Sequence, residues 1–302
     1  MKRQLTAIAL TFTLTPLGVM AHGIAGDRFF PATLNIDDPA VADELTLPQI
    51  DVAKEREDDG SAPWTADNEF ELSKRITKDF GMSLEGGYIH QQKINGNKAV
   101  NGWDNFGLSA KYQFYTDADS ETIISAGVDW DIGDTGSNAV GAEHFSTYTP
   151  TLFFGKGFGD LPDSMDYMKP FAITGQLGLA VPDDNSVAGD PNSDDFTYGF
   201  TVQYSIPYLQ QHVKDLGIPA PFNGMIPLVE VAFDKPLDRV ADQQTTGTIN
   251  PGFIWAGKTS QVGLEAIIPI NHASGSGVGA EAQLHFYLDD LFPQSYGKPL
   301  IE

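Results

Sequence analysis

Phe171, Ile173, Gly175, Leu177, Leu179 and Val181 alternate with Ala172, Thr174, Gln176, Gly178 and Ala180. A period of two over eleven residues is the mark of a β-strand whose two faces meet different surroundings. The same alternation recurs over residues 106–114, 124–130, 196–206, 262–270 and 278–288. These runs match tilted transmembrane strands of ~9–11 residues better than the ~5–6 usual in soluble sheets. Strand length therefore separates a barrel in hydrocarbon from a β-sandwich around a shared core.

The connections support the same reading. Short links at 78–81, 116–121, 159–165 and 257–259 alternate with longer polar ones at roughly 93–104, 132–147, 182–195, 235–246 and 271–277. Outer-membrane barrels have tight periplasmic turns and longer external loops. Eleven strands are visible from Phe70 onward. Because the first link between them is short, an ascending strand must precede them, and the candidate spans about 44–53 despite Pro48. The expected fold is all-β: an antiparallel transmembrane β-barrel of about 12 strands. One short-side connection, 207–217, reads instead as a helix with Tyr208, Leu209, Val213 and Leu216 on one face. Phe80, Phe114, Tyr115, Phe158, Tyr167, Trp255 and Phe286 fall near short-link ends, as an interfacial girdle requires.

Residues 1–21 read as a signal peptide: Lys2 and Arg3 precede an apolar stretch, and Val19 and Ala21 occupy the usual cleavage positions. The expected organisation is signal peptide 1–21, an N-terminal periplasmic segment 22–43, the barrel 44–288 and a C-terminal tail 289–302, with the protein exported to the cell outer membrane. Its expected partners are outer-membrane lipid and lipopolysaccharide, the barrel-insertion machinery, and a small-molecule solute that the sequence does not name.

If the apolar phase of each strand faces lipid, the other phase lines the interior. The pore-lining candidates are then Glu71, Arg75, Glu85, Lys111, Asp129, Glu230, Glu265, Glu281 and His285, with Gln113, Gln176, Gln203, Asn250 and Gln283 among them. Six carboxylates against two permanent cations make the interior acidic, which favours cations over anions. The pattern leaves open whether the lumen conducts or is filled by hydrogen-bonded side chains, because twelve strands lie between filled eight-stranded barrels and open porins.

Charge and chemistry narrow the function further. The 302 residues carry 41 acidic and 18 basic side chains, a formal charge of −23, and no cysteine. That balance excludes nucleic acid as a partner, since phosphate binding needs clustered cations, and thiolate chemistry is absent. No metal spacing or phosphate loop is present, so no cofactor is expected. His144-Phe145-Ser146 and His272-Ala273-Ser274 share the His-x-Ser spacing of outer-membrane phospholipases, but not the residues that follow it; no catalytic residue is assigned.

The closing strand, Ala282-Gln283-Leu284-His285-Phe286-Tyr287-Leu288, resembles the C-terminal strands read by the outer-membrane insertion machinery, although here a tail follows. Gly26-Asp27-Arg28-Phe29-Phe30-Pro31-Ala32-Thr33-Leu34 and Asp37-Asp38-Pro39 resemble stretches of exported proteobacterial proteins. Over roughly residues 44–288 the chain is similar to the outer-membrane transporter family associated with phenol-degradation (MetA-pathway) genes. The resemblance implies location and transport and carries over no functional residues. The expected function is a channel or transporter for small solutes. The alternatives are a non-catalytic envelope protein without an open pore and a lipid-modifying enzyme.

Overall fold

The computed structural model describes residues 23–54, 63–92, 98–187, 189–241 and 243–301. The signal-peptide segment 1–21 lies outside them. Twelve antiparallel strands form one closed barrel: β1 (Glu44–Lys54), β2 (Trp64–Arg75), β3 (Phe80–Gln91), β4 (Phe106–Asp117), β5 (Thr122–Ile132), β6 (Thr147–Gly157), β7 (Phe171–Pro182), β8 (Asp195–Tyr204), β9 (Met225–Pro236), β10 (Thr246–Ala256), β11 (Ser260–Pro269) and β12 (Gly279–Tyr287). Every strand pairs with its chain neighbours, and β12 closes on β1. A short segment, Val100–Trp103, extends the β3 hairpin above β4.

The inferred first strand is present. Pro48 fits because β1 carries a bulge there: Leu47 and Pro48 together oppose one residue on each neighbour, between pairs Thr46↔Glu71 and Gln49↔Glu69 on one side and Thr46↔His285 and Gln49↔Gln283 on the other. Bulges tolerate the proline that a regular ladder rejects.

The two faces divide as the alternation requires. Outward Leu84, Leu152, Leu177, Phe200 and Leu264 are 41–47% exposed, a continuous nonpolar belt that water would not tolerate at this extent. Inward Thr201, Glu230, Asn250 and Gln261 are at most 1% exposed. Phe114, Tyr115 and Tyr167 project at the short-turn end. A second girdle, absent from the sequence reading, lies toward the loop end, where Tyr88 packs on Trp103 and Trp130 stacks on Tyr148. The unboiled protein is therefore expected to migrate differently from the boiled form on a detergent gel. A single mobility together with release by osmotic shock would contradict a membrane-embedded barrel.

The helix over 207–217 is shorter than its pattern predicts. Ser205 caps it by accepting from the Tyr208 N–H (3.1 Å), but helical backbone ends at Val213 because Lys214 is extended. Tyr208 and Leu209 are buried, whereas Leu216, expected on the same face, is exposed. The C-terminal tail turns back beneath β2, with the Leu300 and Ile301 N–H groups donating to the carbonyls of Arg75 and Ile76.

Candidate functional site

Residues 23–43, expected as a periplasmic segment, instead run inside the barrel. The segment begins with a small hairpin pairing Ile24–Ala25 with Arg28–Phe29. Gly26 permits the turn: its φ is +61°, and a Cβ there would lie 2.3 Å from the Ala118 carbonyl oxygen. From the short-turn end the chain rises to about mid-height at Asn35, then returns to Asp43 and enters β1. It forms a looped plug with both ends at the same side.

An extended segment without a strand partner must satisfy its backbone polar groups elsewhere. Inward side chains of the wall do this. Glu230 accepts from the N–H groups of Leu34 (3.1 Å) and Asn35 (2.8 Å). Gln176 accepts from Asp37 N–H (3.1 Å) and Gln113 from Val41 N–H (2.9 Å). Gln49 donates to the Leu34 carbonyl (3.0 Å), Gln261 to that of Ala32 and Ser125 to that of Pro39. Glu281 binds the side chains of Asn35 (2.7 Å) and Gln49 (2.8 Å).

The plug's apolar side chains rest on inward glycines. A Cβ at Gly199 would meet Ile36 at 2.4 Å, at Gly263 Leu34 at 2.4 Å, at Gly155 Pro39 at 2.8 Å and at Gly81 Val41 at 2.9 Å. At these positions the missing side chain is the space that the plug occupies.

Both feet of the loop are tied by buried charge. At the entry, Arg28 Nε donates to Glu121 (3.0 Å), Nη1 to the Pro170 carbonyl (3.1 Å), and the guanidinium lies 3.8 Å from the Tyr208 ring centre. Burial lowers the Arg28 pKa while Glu121 pushes it back up. Burial, followed by the Tyr208 hydroxyl's 2.8 Å hydrogen bond to Glu121, holds that phenol above its ordinary value. At the exit, buried Asp43 accepts from Lys74 (2.6 Å) and Arg75 (2.8 Å).

The plug fills only part of the interior. It binds β4, β5, β7, β9, β11, β12 and β1, and leaves most of the β2–β3 wall uncovered. There a cavity of about 370 Å³ runs beside it, lined from Asp67 and Glu69 near the loop end, past Glu71, to Lys74 at the foot of β2. Nine carboxylates and two lysines line this cavity, two of the acids, Asp37 and Asp38, being the plug's own. A second cavity of about 510 Å³ opens among the external loops and shares Asp104, Asn105 and Asp131 with the first. An external vestibule and an acidic cavity thus meet at common residues.

The nine sequence candidates separate by position. Glu71, Glu85, Lys111 and His285 line the acidic cavity. Glu230 and Glu281 hold the plug, with Glu265 buried beside them in the ladder opposite Glu281. Asp129 faces inward at 3.5 Å from the Thr151 hydroxyl. Arg75 sits at the short-turn rim, donating to Asp43 and to the Gly297 carbonyl (2.9 Å). Lys111 bridges wall and plug, donating to Asp37 and to the Asp38 carbonyl. The sequence reading missed Asp67, Glu69, Asp104 and Asp131 as lining residues, although the first two share the phase of Glu71. At the first His-x-Ser spacing Ser146 accepts from Gly133 N–H while His144 binds Asp134, and at the second Ser274 donates to Asn271.

No family model matches the chain, and no curated protein matches it in sequence. Among solved structures it is similar to the COG4313 outer membrane channel from Pseudomonas putida F1 (11% identity, TM-score 0.53, covering 86% of this chain and 99% of that one). It also matches the NanC porin (8%, 0.48, 80% and 97%) and the KdgM porin (13%, 0.45, 79% and 98%). At such identities the likeness is one of architecture: the chain folds as an outer-membrane β-barrel.

Proposed function

We propose that the protein is an outer-membrane channel for small solutes that prefers cations. The observation that carries this reading is the external vestibule meeting, at Asp104 and Asp131, an acidic cavity lined by β2 residues from Asp67 to Lys74. Carboxylates facing one another in a narrow passage between low-dielectric walls attract cations and repel anions. Export by the 1–21 segment, membership of the phenol-degradation transporter family, and association with lipopolysaccharide and the insertion machinery belong to this proposal too.

Glu71 and Glu85 are cross-strand partners on the uncovered wall. In planar bilayers under a salt gradient, Glu71→Gln with Glu85→Gln is expected to lower the cation-to-anion permeability ratio about threefold, on the scale of removing two near charges from a narrow path. Glu265→Gln, behind the plug, should change it far less. Absence of conductance from the unmodified protein would overturn the channel reading.

A second reading is favoured by the density of plug-to-wall hydrogen bonds: a barrel closed by its plug, acting as an envelope binding protein. The same recordings separate the two, because that protein would be silent.

A further inference from the structure

The geometry points to the plug being a fixed wall of the pore and not a removable stopper: solutes pass beside it, between its acidic side and β2–β3. This inference rests on the channel reading above and specifies the path within it.

Three independent features converge. The plug is a loop anchored at both feet on the same side, by Arg28 with Glu121 at one and Asp43 with Lys74 and Arg75 at the other. Freeing one foot therefore does not release it, and its second foot continues into β1 without a break. Its apolar side chains are seated on Gly155, Gly199 and Gly263, positions with no side chain to refill the space if the plug left. Finally, the cavity lies beside the plug against Glu69, Glu71 and Glu85 of β2–β3, a wall the plug meets only near its short-turn end through Val41 at Gly81 and Asp43 at Lys74 and Arg75, so space for a solute already exists with the plug in place.

A pore built this way takes its selectivity from both partners. Asp37 and Asp38 line the cavity from the plug, together with Glu71 and Glu85 of the wall. Lys111 reaches over to Asp37, which fixes the plug's acidic side against the wall. Asp37 becomes a specificity-determining residue although it lies on no strand. The solutes that fit are small cations, inorganic or organic, and not bulky or anionic ones.

The chain contains no cysteine, so an engineered pair is the sole source of thiols. A Cβ at Gly263 would lie 3.3 Å from Leu34 Cγ, which puts the Leu34 Cβ, one bond behind, within about 5 Å and so within a small adjustment of the ~3.5–4.5 Å Cβ spacing that a disulfide requires. Leu34→Cys with Gly263→Cys locks the plug to β11. Pro39→Cys with Gly155→Cys provides a second lock on β6 should the first variant fail to insert. Conductance in potassium chloride is recorded from the full-length protein with the disulfide closed, verified by thiol labelling, and again after reduction.

The expected result is conductance and cation preference that agree within about twofold between closed and reduced forms, as a path that bypasses the plug requires. In the locked pore, Asp37→Asn should then lower the cation-to-anion ratio about threefold, on the scale expected for one charge at a constriction. Current that vanishes in the locked form and returns on reduction would show that the plug must leave. That would overturn the inference while the channel reading stands. An unchanged ratio in locked Asp37→Asn would place the ion path away from the plug and equally overturn it. Silence of the unmodified protein would defeat the channel reading and the inference together.

Discussion

Removal of residues 24–41, with Asp43 kept to hold Lys74 and Arg75, is expected to raise single-channel conductance on the order of fivefold. Twelve strands at ~4.8 Å spacing and ~40° tilt enclose a backbone cylinder of about 12 Å radius, or about 7 Å after inward side chains. The passage is far narrower: about 370 Å³ over the ~18 Å of barrel axis from Asp67 to Lys74 gives a cross-section on the order of 20 Å², against ~150 Å² for an empty lumen. Access resistance reduces that ratio, which is why about fivefold is expected and not the full geometric factor. Cation preference should weaken as well, because Asp37 and Asp38 are lost and the remaining carboxylates lie farther from the axis. Planar-bilayer recording measures both quantities. Conductance unchanged by the deletion would mean that the segment does not occupy the lumen.

The strands were legible in the sequence because one physical constraint governs them all. Lipid on one side and polar surroundings on the other impose a period of two, and only one register satisfies both. That constraint located the barrel, the alternating loops and even β1, whose proline conceals a bulge. It also assigned the nine candidate side chains to the phase opposite the apolar one. It could not say what they face there, because alternation reports the medium outside and is silent about the contents of the lumen.

The plug was hidden for a related reason. Satisfied by scattered side chains from seven strands, it has no period of its own. Two signals pointed to it nonetheless. Phe30, Leu34, Ile36 and Val41 are more apolar than a solvated segment needs, and all are buried. Glycine replaces a side chain at inward positions 81, 155, 199 and 263, where an empty polar lumen gives no reason to omit one. Read together, an apolar segment and inward glycines imply that one fits the other. The helix over 207–217 shows the opposite failure: its amphipathic spacing extends to Leu216, but the backbone turns extended at Lys214.

Arg28→Ala is expected to have the second large effect, and it acts on the plug and not on the barrel. Arg28 is fully buried and Glu121 is 4% exposed. Removing the guanidinium leaves the Glu121 carboxylate buried without its cation, a loss of about 3–5 kcal/mol for such pairs. Because the strands keep their ladders, that loss falls on docking of the plug's first foot, a shift of about a hundredfold or more in the docking equilibrium. Tyr208 and the Gly159 N–H, at 2.8 Å and 3.0 Å, remain as donors to Glu121 and soften the loss without cancelling it. Limited proteolysis of the folded protein should therefore reach the segment around Asp27 much faster in Arg28→Ala, while the heat-modifiable gel shift persists. Glu121→Gln keeps the shape and removes the buried charge, so Arg28→Ala combined with Glu121→Gln should cost less than the sum of the two single changes. Strict additivity would mean that the two residues do not act as a buried pair. Wild-type protease resistance in Arg28→Ala would mean that the plug is held from its other foot alone.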